Sequence, residues 1–404
     1  MSSEKKVAAF PRVVPVGESV EIVVDPIGVE PALVVSGDYS VRFFSKVDRT
    51  DDVKQDLRTD ERGALRVPAA FRAQGEYTLE VRRKDSEDLL ISEQFYAVSR
   101  ELAALRPFKG DIHMHTTGSD GKNTTQEMMV RARELGMDFV AITDHDNFAP
   151  SRQAVQEAAT LGLGLLVLTG EEVTIRGIGG HVLSLNATAA VGGKRRWTPE
   201  TENEYAEIAA RLAGRELIGP LTAESYSTAV WTATKIREAG GLALMAHPFW
   251  EGSKGKYYPP RCVYQQLLRD GLLDGIELLG GSPTAEGNLL AVANYGDERG
   301  GGQRLAITGS SDAHSTAEVG RKFTIAFAER LTDKDIIGAI TGRKTVACDT
   351  MLGPEIAVFG PFELVEYAFF LLRVFYPMRT SLAGHSERFW QASAKGIGQT
   401  TKGE

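Results

Sequence analysis

The pattern of apolar and polar positions changes near residue 105. Before this point, short β-branched or aromatic runs are separated by turn clusters such as DPIG, SGD and RTDERG, a pattern typical of strands joined by turns. Tyr77, Leu79 and Val81 alternate with polar residues, which predicts a strand with one face in solvent. We therefore predict a small all-β, sandwich-like domain over residues 1–105, with strands at 20–24, 32–36, 41–45, 77–81 and 89–98.

From about residue 108, apolar strand-like runs alternate with helical patterns, which predicts βα units around a parallel sheet or barrel. Thr124 should begin a helix because Glu127, three residues later, completes a capping box. Further helices are predicted over 150–160 and over about 40 residues ending at Arg237. Seven strand-like segments lie between 108 and 314, among them 139–143, 163–168, 181–185, 241–246, 275–279 and 304–308.

The segment 362–376 is strongly apolar but contains Glu363, Glu366 and Arg373. A membrane-spanning helix needs roughly 20 mostly apolar residues, so we predict a helix packed on the barrel and no membrane anchor. After about residue 386 the composition predicts a loose end, with His385 as a solvated histidine beside it. The predicted division is thus 1–105, a barrel domain over 106–350, and a helical segment with a tail over 351–404.

Composition narrows the functional classes. A chain of 404 residues suggests two domains. The net charge of −8 argues against binding to a nucleic-acid backbone, although a locally basic cleft could hold a small anion. Cys262 and Cys348 form neither a CxxC motif nor a disulfide framework, which excludes a multi-thiolate zinc site. The first residues lack a long apolar segment, so we expect no signal peptide and a cytoplasmic location.

Histidine is rare and unevenly placed. The chain has 7 histidines, and all except His385 lie within or at the end of a strand-like run. His113 and His115 share a face because side chains alternate along a strand. Imidazole and carboxylate ligands suit Zn²⁺, Mn²⁺ or Fe²⁺, and the candidates are too many for one ion, so two or three divalent ions are expected. The candidate ligands are His113, His115, Asp120, His145, Glu172, His181, His247, Asp312 and His314.

The motifs DIHMHTTGSDG, AITDHD, TGEEVT, GGHV, MAHP and GSSDAH follow one another in this order between residues 108 and 350. In this the sequence resembles the PHP (polymerase and histidinol phosphatase) family of metal-dependent phosphoesterases. The resemblance implies an α/β fold, a distorted (β/α)7 barrel, with a metal cluster at the C-terminal mouth of its strands.

The resemblance also implies how the ligands are shared among three ions. The first ion would be held by His113, His115, Glu172 and Asp312, the second by Glu172, His181 and His247, and the third by Asp120, His145 and His314. Some family members have histidine where this chain has Asp120, which weakens the expected third site. Glu171 is an alternative to Glu172 as the shared ligand, although the GxE spacing from Gly170 favours Glu172.

The implied activity is hydrolysis of small phosphate esters, with a metal-bridging hydroxide as the nucleophile. The β-rich N-terminal region, the GEEVT and GGHV motifs and the aromatic C-terminal segment also resemble a branch that includes carbaryl-hydrolase-like proteins. A carboxyl or carbamate (aryl) ester hydrolase is therefore the alternative, because the same ligands serve both reactions. A non-enzymatic, metal-stabilised binding module is a third possibility, against which the intact ligand set argues.

Residues beside the ligands are the further candidates for catalysis. Asp144 and Asp146 flank His145 and could orient it or carry protons, although exposed loop acids are also common. Arg321 could complement the charge of a phosphate ester. The other basic residues near the strand ends, which surface loops would explain equally well, are Arg176, Lys194, Arg195, Arg196, Lys254 and Lys256. The expected partner is a small-molecule ester, with neither nucleic acid nor membrane.

Overall fold

The structure is a computed structural model that describes residues 7–26, 32–47, 52–86, 88–252, 255–281, 285–300, 305–378 and 386–390. The chain forms two compact units. The first contains residues 1–106 together with 366–404, and the second contains residues 107–365. Among the described residues, no helix combines the length and the apolar character needed to cross a membrane.

The first unit consists of two sheets that share one apolar core. Its strands are β1 (Val7–Phe10), β2 (Val13–Pro15), β3 (Ser19–Pro26), β4 (Asp38–Ser45), β5 (Asp52–Arg58), β6 (Leu65–Ala70), β7 (Gly75–Arg83) and β8 (Leu89–Val98), followed by the short helix α1 (Arg100–Ala103). The sheet orders are β1-β3-β6 and β2-β8-β7-β4-β5. Alternation along β4 buries Tyr39, Val41 and Phe43 in a core that also contains Ile22 of β3 and Val67 of β6.

Three of the predicted strands in this unit agree closely with β3, β4 and β7, and the prediction for 89–98 coincides with β8. The strand predicted at 32–36 is wrong for the residues that the structure describes. Ser36 has a φ of +55°, and the amide of Val34 donates to the Tyr39 hydroxyl at 2.7 Å, so the chain turns there. The strands β5 and β6 were not predicted. β5 is highly polar and exposed, and β6 contains Pro68, a residue that argues against a strand except at a sheet edge, where β6 lies.

The second unit alternates strands and helices. Its strands are β9 (Arg106–Asp111), β10 (Phe139–Ala141), β11 (Leu166–Leu168), β12 (Gly170–Thr174), β13 (His181–Leu185), β14 (Leu242–Met245), β15 (Gly275–Leu279), β16 (Ala306–Gly309), β17 (Lys322–Ala328), β18 (Thr345–Asp349) and β19 (Ala357–Phe359). Its helices are α2 (Thr125–Glu134), α3 (Ala149–Leu161), α4 (Pro199–Leu212), α5 (Ala223–Glu238), α6 (Arg261–Arg269), α7 (Ala285–Gly300), α8 (Asp333–Thr341) and α9 (Phe362–Phe370). The capping box predicted at Thr124 and Glu127 is confirmed, because each side chain bonds the backbone of the other residue.

The strands form two sheets, with orders β11-β10-β9-β17-β18-β19 and β12-β13-β14-β15-β16. Isolated parallel bridges, Met114 to Ala313 and His145 to Glu172, link the strand ends of the two sheets. The mixed α/β class is confirmed, but a regular (β/α)7 barrel is not, since β12–β13, β13–β14 and β17–β18 pair antiparallel. The connection 175–180 is too short for a parallel crossover, so β12 and β13 form a hairpin.

The C-terminal segment departs from its predicted place. α9 continues through a π-helical turn (Leu371–Phe375) into α10 (Tyr376–Met378). Tyr367 and Phe370 lie 5.0 and 5.3 Å from the Tyr96 ring, and residues from 366 onward belong to the first unit. The prediction that this helix packs on the barrel is therefore wrong from residue 366, because its aromatic face has partners in the first unit.

The tail prediction is also wrong for residues 386–390. Ser386–Phe389 forms a short 3₁₀ helix, and the carbonyl of Phe389 accepts from the Arg12 amide at 2.9 Å. Trp390 forms a bridge with Val13, and both aromatic side chains are buried. Apolar burial therefore fixes this stretch. His385 and residues 391–404 lie outside the described residues.

Candidate metal centre

The ends of several strands in the second unit bring all nine predicted ligands together. His113 and His115 follow β9, His145 follows β10, His247 follows β14, and Asp312 with His314 follows β16. Parallel strands deliver their carboxyl ends to one edge of a sheet. His181 stands at the start of β13, and it reaches the same edge because β13 runs antiparallel to its neighbours.

Glu172 lies at the centre of this cluster and is fully buried. One oxygen, Oε2, lies 3.2 Å from the Nε2 atoms of both His113 and His115 and 3.0 Å from His145 Nδ1. The other oxygen, Oε1, lies 2.8 Å from His181 Nδ1 and 3.0 Å from His247 Nε2. The two oxygens of one carboxylate therefore face two different groups of imidazole nitrogens.

Asp312 completes the group on the Oε2 side. Its Oδ1 lies 2.9 Å from His115 Nε2 and 3.2 Å from His113 Nε2, and these two ring nitrogens are 3.0 Å apart. His113, His115, Glu172 and Asp312 thus place four ligand atoms around one point. Tetrahedral Zn²⁺ with bonds of about 2.0–2.1 Å has ligand atoms roughly 3.4 Å apart, so the group has the size of a single-ion site.

The hydrogen-bonding state of these atoms tests whether they fit metal ions. Glu172 Oε2, Asp312 Oδ1, His145 Nδ1 and His181 Nδ1 are buried and form no hydrogen bond within the described part of the chain. Three of the distances between them and neighbouring ligand atoms are nevertheless about 3 Å. These distances join Asp312 Oδ1 to His115 Nε2, His145 Nδ1 to Glu172 Oε2, and His181 Nδ1 to Glu172 Oε1. These polar atoms are therefore buried close together without hydrogen bonds between them. Since buried polar atoms are normally hydrogen-bonded, the residues fit divalent cations.

Two further groups extend the cluster. His145, Glu172 and His181 form one, to which His247 is joined through its contact with Glu172 Oε1. His145 also takes part in the other, where its Nε2 lies 3.7 Å from Asp120 Oδ2. His314 Nε2 lies 3.3 Å from Asp120 Oδ1. The Asp120 side chain is 56% exposed, so this group is the most open to solvent.

Opposite charges in the cluster shift its pKa values strongly. Burial acts to lower the pKa of His115, but the close carboxylates of Asp312 and Glu172 outweigh it and raise the pKa to about 9. Burial alone would raise the pKa of Glu172, yet the surrounding histidines, His181 and His113 first, hold it well below its usual range. The pKa of Asp312 is lowered for the same reason, mainly by His113 and His115. Both carboxylates are therefore ionised and available as ligands.

Glu277, in the middle of β15, is a site residue that the sequence analysis missed. Its carboxylate is fully buried and accepts from His113 Nδ1 at 3.0 Å, from the His247 amide at 3.1 Å and from Ser310 Oγ at 2.6 Å. An acid that accepts from Nδ1 leaves Nε2 of the same ring free to bind a cation. The available signal was a lone acidic residue inside the apolar run GIELL.

Two buried aspartates hold the loops that carry ligands. Asp111 accepts from the amide and hydroxyl of Ser311 and from the Gly320 amide, which fixes the loop leading to Asp312. Burial raises the pKa of Asp111 to about 6. Asp144 accepts from the amide and hydroxyl of Thr116 at 2.8 and 2.7 Å and from Ser119 Oγ at 2.6 Å, so the hydrogen bonds of this predicted catalytic acid hold the loop before Asp120.

Asp146, the other predicted catalytic acid, is engaged in a comparable way. Its carboxylate accepts from the amide and hydroxyl of Thr174 at 3.0 and 2.9 Å and pairs with the buried Arg196. Glu171 accepts from the amides of Val191 and Gly192 and makes no hydrogen bond to a histidine within the described part of the chain. Of the two neighbouring glutamates, the structure therefore places Glu172 in the cluster.

Backbone strain is concentrated at this site. Asp146, His247 and Asp312 adopt left-handed φ values of +50°, +24° and +51°, a conformation that non-glycine residues rarely hold unless the surroundings enforce it. Gly281 packs directly against Asp312, because a Cβ added there would lie 1.9 Å from Asp312 Oδ2. The position of Asp312 thus depends on Gly281, which lies in the connection that follows β15.

The predicted basic residue Arg321 lies at a cavity beside the cluster. It lines a cavity of about 470 Å³ together with Asp312 and His314. Arg176 and Arg196 are engaged elsewhere: Arg176 lies over the rings of Trp197 and Tyr205, and Arg196 holds Asp146. Arg195 donates to the carbonyl of Ala190. Lys254 lies outside the described residues.

The second unit is a mixed, curled α/β unit with a buried histidine and carboxylate cluster at its strand ends, and this cluster could hold metal ions. Residues 111–299 match the PHP domain, and residues 303–345 match the PHP-associated region that accompanies it. Residues 111–299 therefore form a PHP domain, and the resemblance drawn from the motifs is confirmed.

Two of the relatives are a nuclease and a phosphatase. The chain is 32% identical over 174 residues to the 5′-3′ exoribonuclease Rnm of Salmonella typhimurium, which covers 39% of this chain and 59% of that protein. It is 24% identical over 267 residues to the 3′,5′-nucleoside bisphosphate phosphatase of Chromobacterium violaceum, which covers 52% of this chain and 89% of that protein. The chain thus spans only 59% of the length of the exoribonuclease.

A solved structure of a two-domain protein from Bacteroides vulgatus, containing a predicted PHP-like metal-dependent phosphoesterase, matches with a TM-score of 0.41 and 20% identity. The match covers 60% of this chain and 65% of that one. At these values it gives no information about function.

Two expectations change in the light of these relatives. The exclusion of nucleic acid conflicts with the name of the exoribonuclease, and it is not maintained, because the net charge of a whole chain does not report the field at a metal site. The carboxyl or carbamate ester alternative gains no support, since both relatives are named for phosphate chemistry.

Proposed function

We propose that this protein is a metal-dependent phosphoesterase that hydrolyses small phosphate esters. The observation that carries the proposal is the position of Glu172, whose two oxygens face separate groups of imidazole nitrogens while Oε2 forms no hydrogen bond within the described residues. This arrangement suits a carboxylate shared between two cations. Divalent ions bound there would polarise the ester and lower the pKa of water.

The ligands would divide as follows. One ion would be held by His113, His115, Glu172 and Asp312, a second by Glu172, His181 and His247, and a third by Asp120, His145 and His314. His145 lies close enough to Glu172 to serve the second position as well. The group that contains Asp120 should have the weakest affinity for a metal ion, because the Asp120 side chain is exposed to solvent.

The remaining buried acids would position these ligands. Glu277 would orient His113 so that Nε2 points into the cluster, and Asp111 would fix the loop before Asp312. Asp144 and Asp146 would act in the same way on the chain around His145, a positioning role in place of the proton transfer considered from the sequence. Ligand orientation of this kind typically contributes about 10–100-fold in metal affinity or activity.

Arg321 would supply the charge complementarity that a phosphate ester requires. Arg321 lines the same cavity as Asp312 and His314, and its ion pair with Glu318 is loose at 3.5 Å. Arginine is well suited to phosphate because it presents several N–H groups in one plane. A neutral carbamate would gain little binding energy from this residue. The presence of Arg321 therefore favours a phosphate ester as the substrate.

The test is a hydrolysis screen of metal-reconstituted full-length protein. Phosphomonoesters, phosphodiesters, short RNA and aryl carboxyl esters should be compared with Zn²⁺, Mn²⁺ or Fe²⁺ added. We expect metal-dependent cleavage of at least one phosphate ester, its loss in Glu172→Gln, and retention in Glu134→Gln, an exposed acid on α2. Cleavage confined to carboxyl esters, or equal activity of Glu172→Gln and wild type, would refute the proposal.

A further inference from the structure

The strand β5 leaves one side of its sheet unpaired. It stands at the end of the order β2-β8-β7-β4-β5, so among the described residues only β4 pairs with it. With 7 residues it is the longest strand at the end of a sheet within the described part of the chain. β6, the next longest, contains Pro68, whereas β5 contains no proline and keeps one register along β4. β5 therefore presents backbone donors and acceptors that another strand could bind.

The two faces of β5 differ in their chemistry. Val53 and Leu57 lie on the face that points to the core, because they stand opposite the buried Phe43 and Tyr39 of β4. Val53 is nevertheless 47% exposed, since it lies at the open side of the sheet. The other face carries charges of alternating sign, from Asp52, Lys54, Asp56 and Arg58. The strand thus combines zero net charge with an exposed apolar side chain.

The sequence of β5, DVKQDLR, is complementary to itself when one copy is reversed. We propose that two copies of this chain associate through β5, with the two strands antiparallel and centred on Gln55. A two-fold axis then relates the copies, and their sheets join into one. Each position faces a residue of complementary character in the other copy, and each of these pairs occurs twice. The pairs are Asp52 with Arg58, Lys54 with Asp56, and Val53 with Leu57.

The same charges disfavour the other ways of pairing two β5 strands. An antiparallel shift by two residues places Lys54 opposite Lys54 or Asp56 opposite Asp56, according to its direction. A parallel pairing in register sets every charge opposite a like charge, and like charges directly opposite one another destabilise a strand pair. A shift by one residue places the apolar face of one strand beside the charged face of the other. The sequence of β5 therefore favours the pairing centred on Gln55.

The cations of β5 have little compensation within the described part of the chain. Lys54 forms no ion pair there and stands opposite Arg42 of β4. Arg58 donates to a backbone carbonyl at 3.1 Å and likewise forms no ion pair among the described residues. Asp52 and Asp56 pair with exposed cations at 2.6 and 3.1 Å, and a carboxylate can accept from more than one donor. The second copy thus supplies both cations of β5 with a carboxylate.

The test measures self-association of the full-length protein by sedimentation equilibrium, from about 1 to 200 μM. One pair of strands is a small interface, so we expect a reversible dimer with a Kd on the order of 10 μM. Lys54→Asp and Asp56→Lys each create two contacts between like charges, so each should raise Kd about tenfold or more. Lys334→Asp makes the same change of charge at an exposed residue of α8 and should leave Kd unchanged.

Two combinations distinguish this pairing from a general effect of charge. The double variant Lys54→Asp with Asp56→Lys exchanges the two charges and should restore the Kd of wild type. A mixture of the two single variants should form a heterodimer, because each supplies the charge that the other requires. A wild type that stays monomeric up to about 200 μM overturns the inference. An unchanged Kd in Lys54→Asp, or a double variant that folds but associates as weakly as the single variants, overturns it as well.

Discussion

Replacing Glu277 by glutamine tests whether the cluster depends on a residue that orients its ligands. The carboxylate accepts from three buried donors, the Nδ1–H of His113, the amide of His247 and the hydroxyl of Ser310. Glutamine keeps the shape but has only one acceptor oxygen and adds an N–H₂ group. His113 then loses a charged acceptor, and its ring is no longer held with Nε2 towards the cluster.

The size of the effect follows from these contacts. One buried donor left with a poorer partner costs about 1–3 kcal/mol in the free energy of unfolding. The loss of an orienting acid lowers metal affinity by about 10–100-fold, or roughly 1.4–2.7 kcal/mol. Activity should fall by a similar factor at limiting metal. It should recover substantially at saturating metal, because Glu277 is expected to act through ligand orientation.

The assay is metal affinity by competition with a chelator, combined with denaturant unfolding of metal-free protein. Glu93→Gln is the matched control, because Glu93 is a buried acid of the first unit that pairs with Arg12 at 2.7 Å. The control should lose stability but keep its metal affinity. If the metal affinity of Glu277→Gln is within twofold of that of wild type, or if both variants lose metal affinity equally, Glu277 has no orienting role.

Three further predictions concern the cluster directly. Protein purified without chelator should carry two or three transition-metal ions per chain by elemental analysis, and a chain that binds none on reconstitution contradicts the site. Asp312→Ala should lower kcat by about 10³-fold or more, near 4 kcal/mol, whereas His314→Ala should be partly rescued by added Mn²⁺ or Zn²⁺; near-native rates for both refute the cluster. Gly281→Ala should reduce activity at least about tenfold because its Cβ would collide with Asp312. Gly296→Ala, which meets nothing within 4 Å, should stay within about twofold, and equal activity of these two variants would remove the argument from close packing.

Local signals in the sequence predicted local structure well. The capping box at Thr124 required only residues three apart. The strand at 181–185 followed from an apolar run preceded by glycines. Most candidate ligands also followed from local motifs, because they stand at or just beyond strand ends, which meet at one edge of an α/β sheet.

Contacts between distant residues could not be predicted in the same way. Glu277 and His113 are 164 positions apart, and no local pattern links an acid in an apolar strand to a particular histidine. The Tyr367 ring packs on Tyr96, so the placement of the C-terminal helix depends on a contact across most of the chain. The antiparallel strands β17 to β19 likewise follow from pairing partners and not from their own composition.

The return of residues 366–390 to the first unit has a consequence for biosynthesis. The ribosome makes β1 to β8 first, but Arg12 and Val13 contact Phe389 and Trp390, which are made only after the whole of 107–365. At about 5–20 residues per second, this delay lasts roughly 13–50 s. The nascent first unit must therefore wait with an uncovered aromatic surface around Tyr96, while the metal-binding unit can complete its own fold during translation.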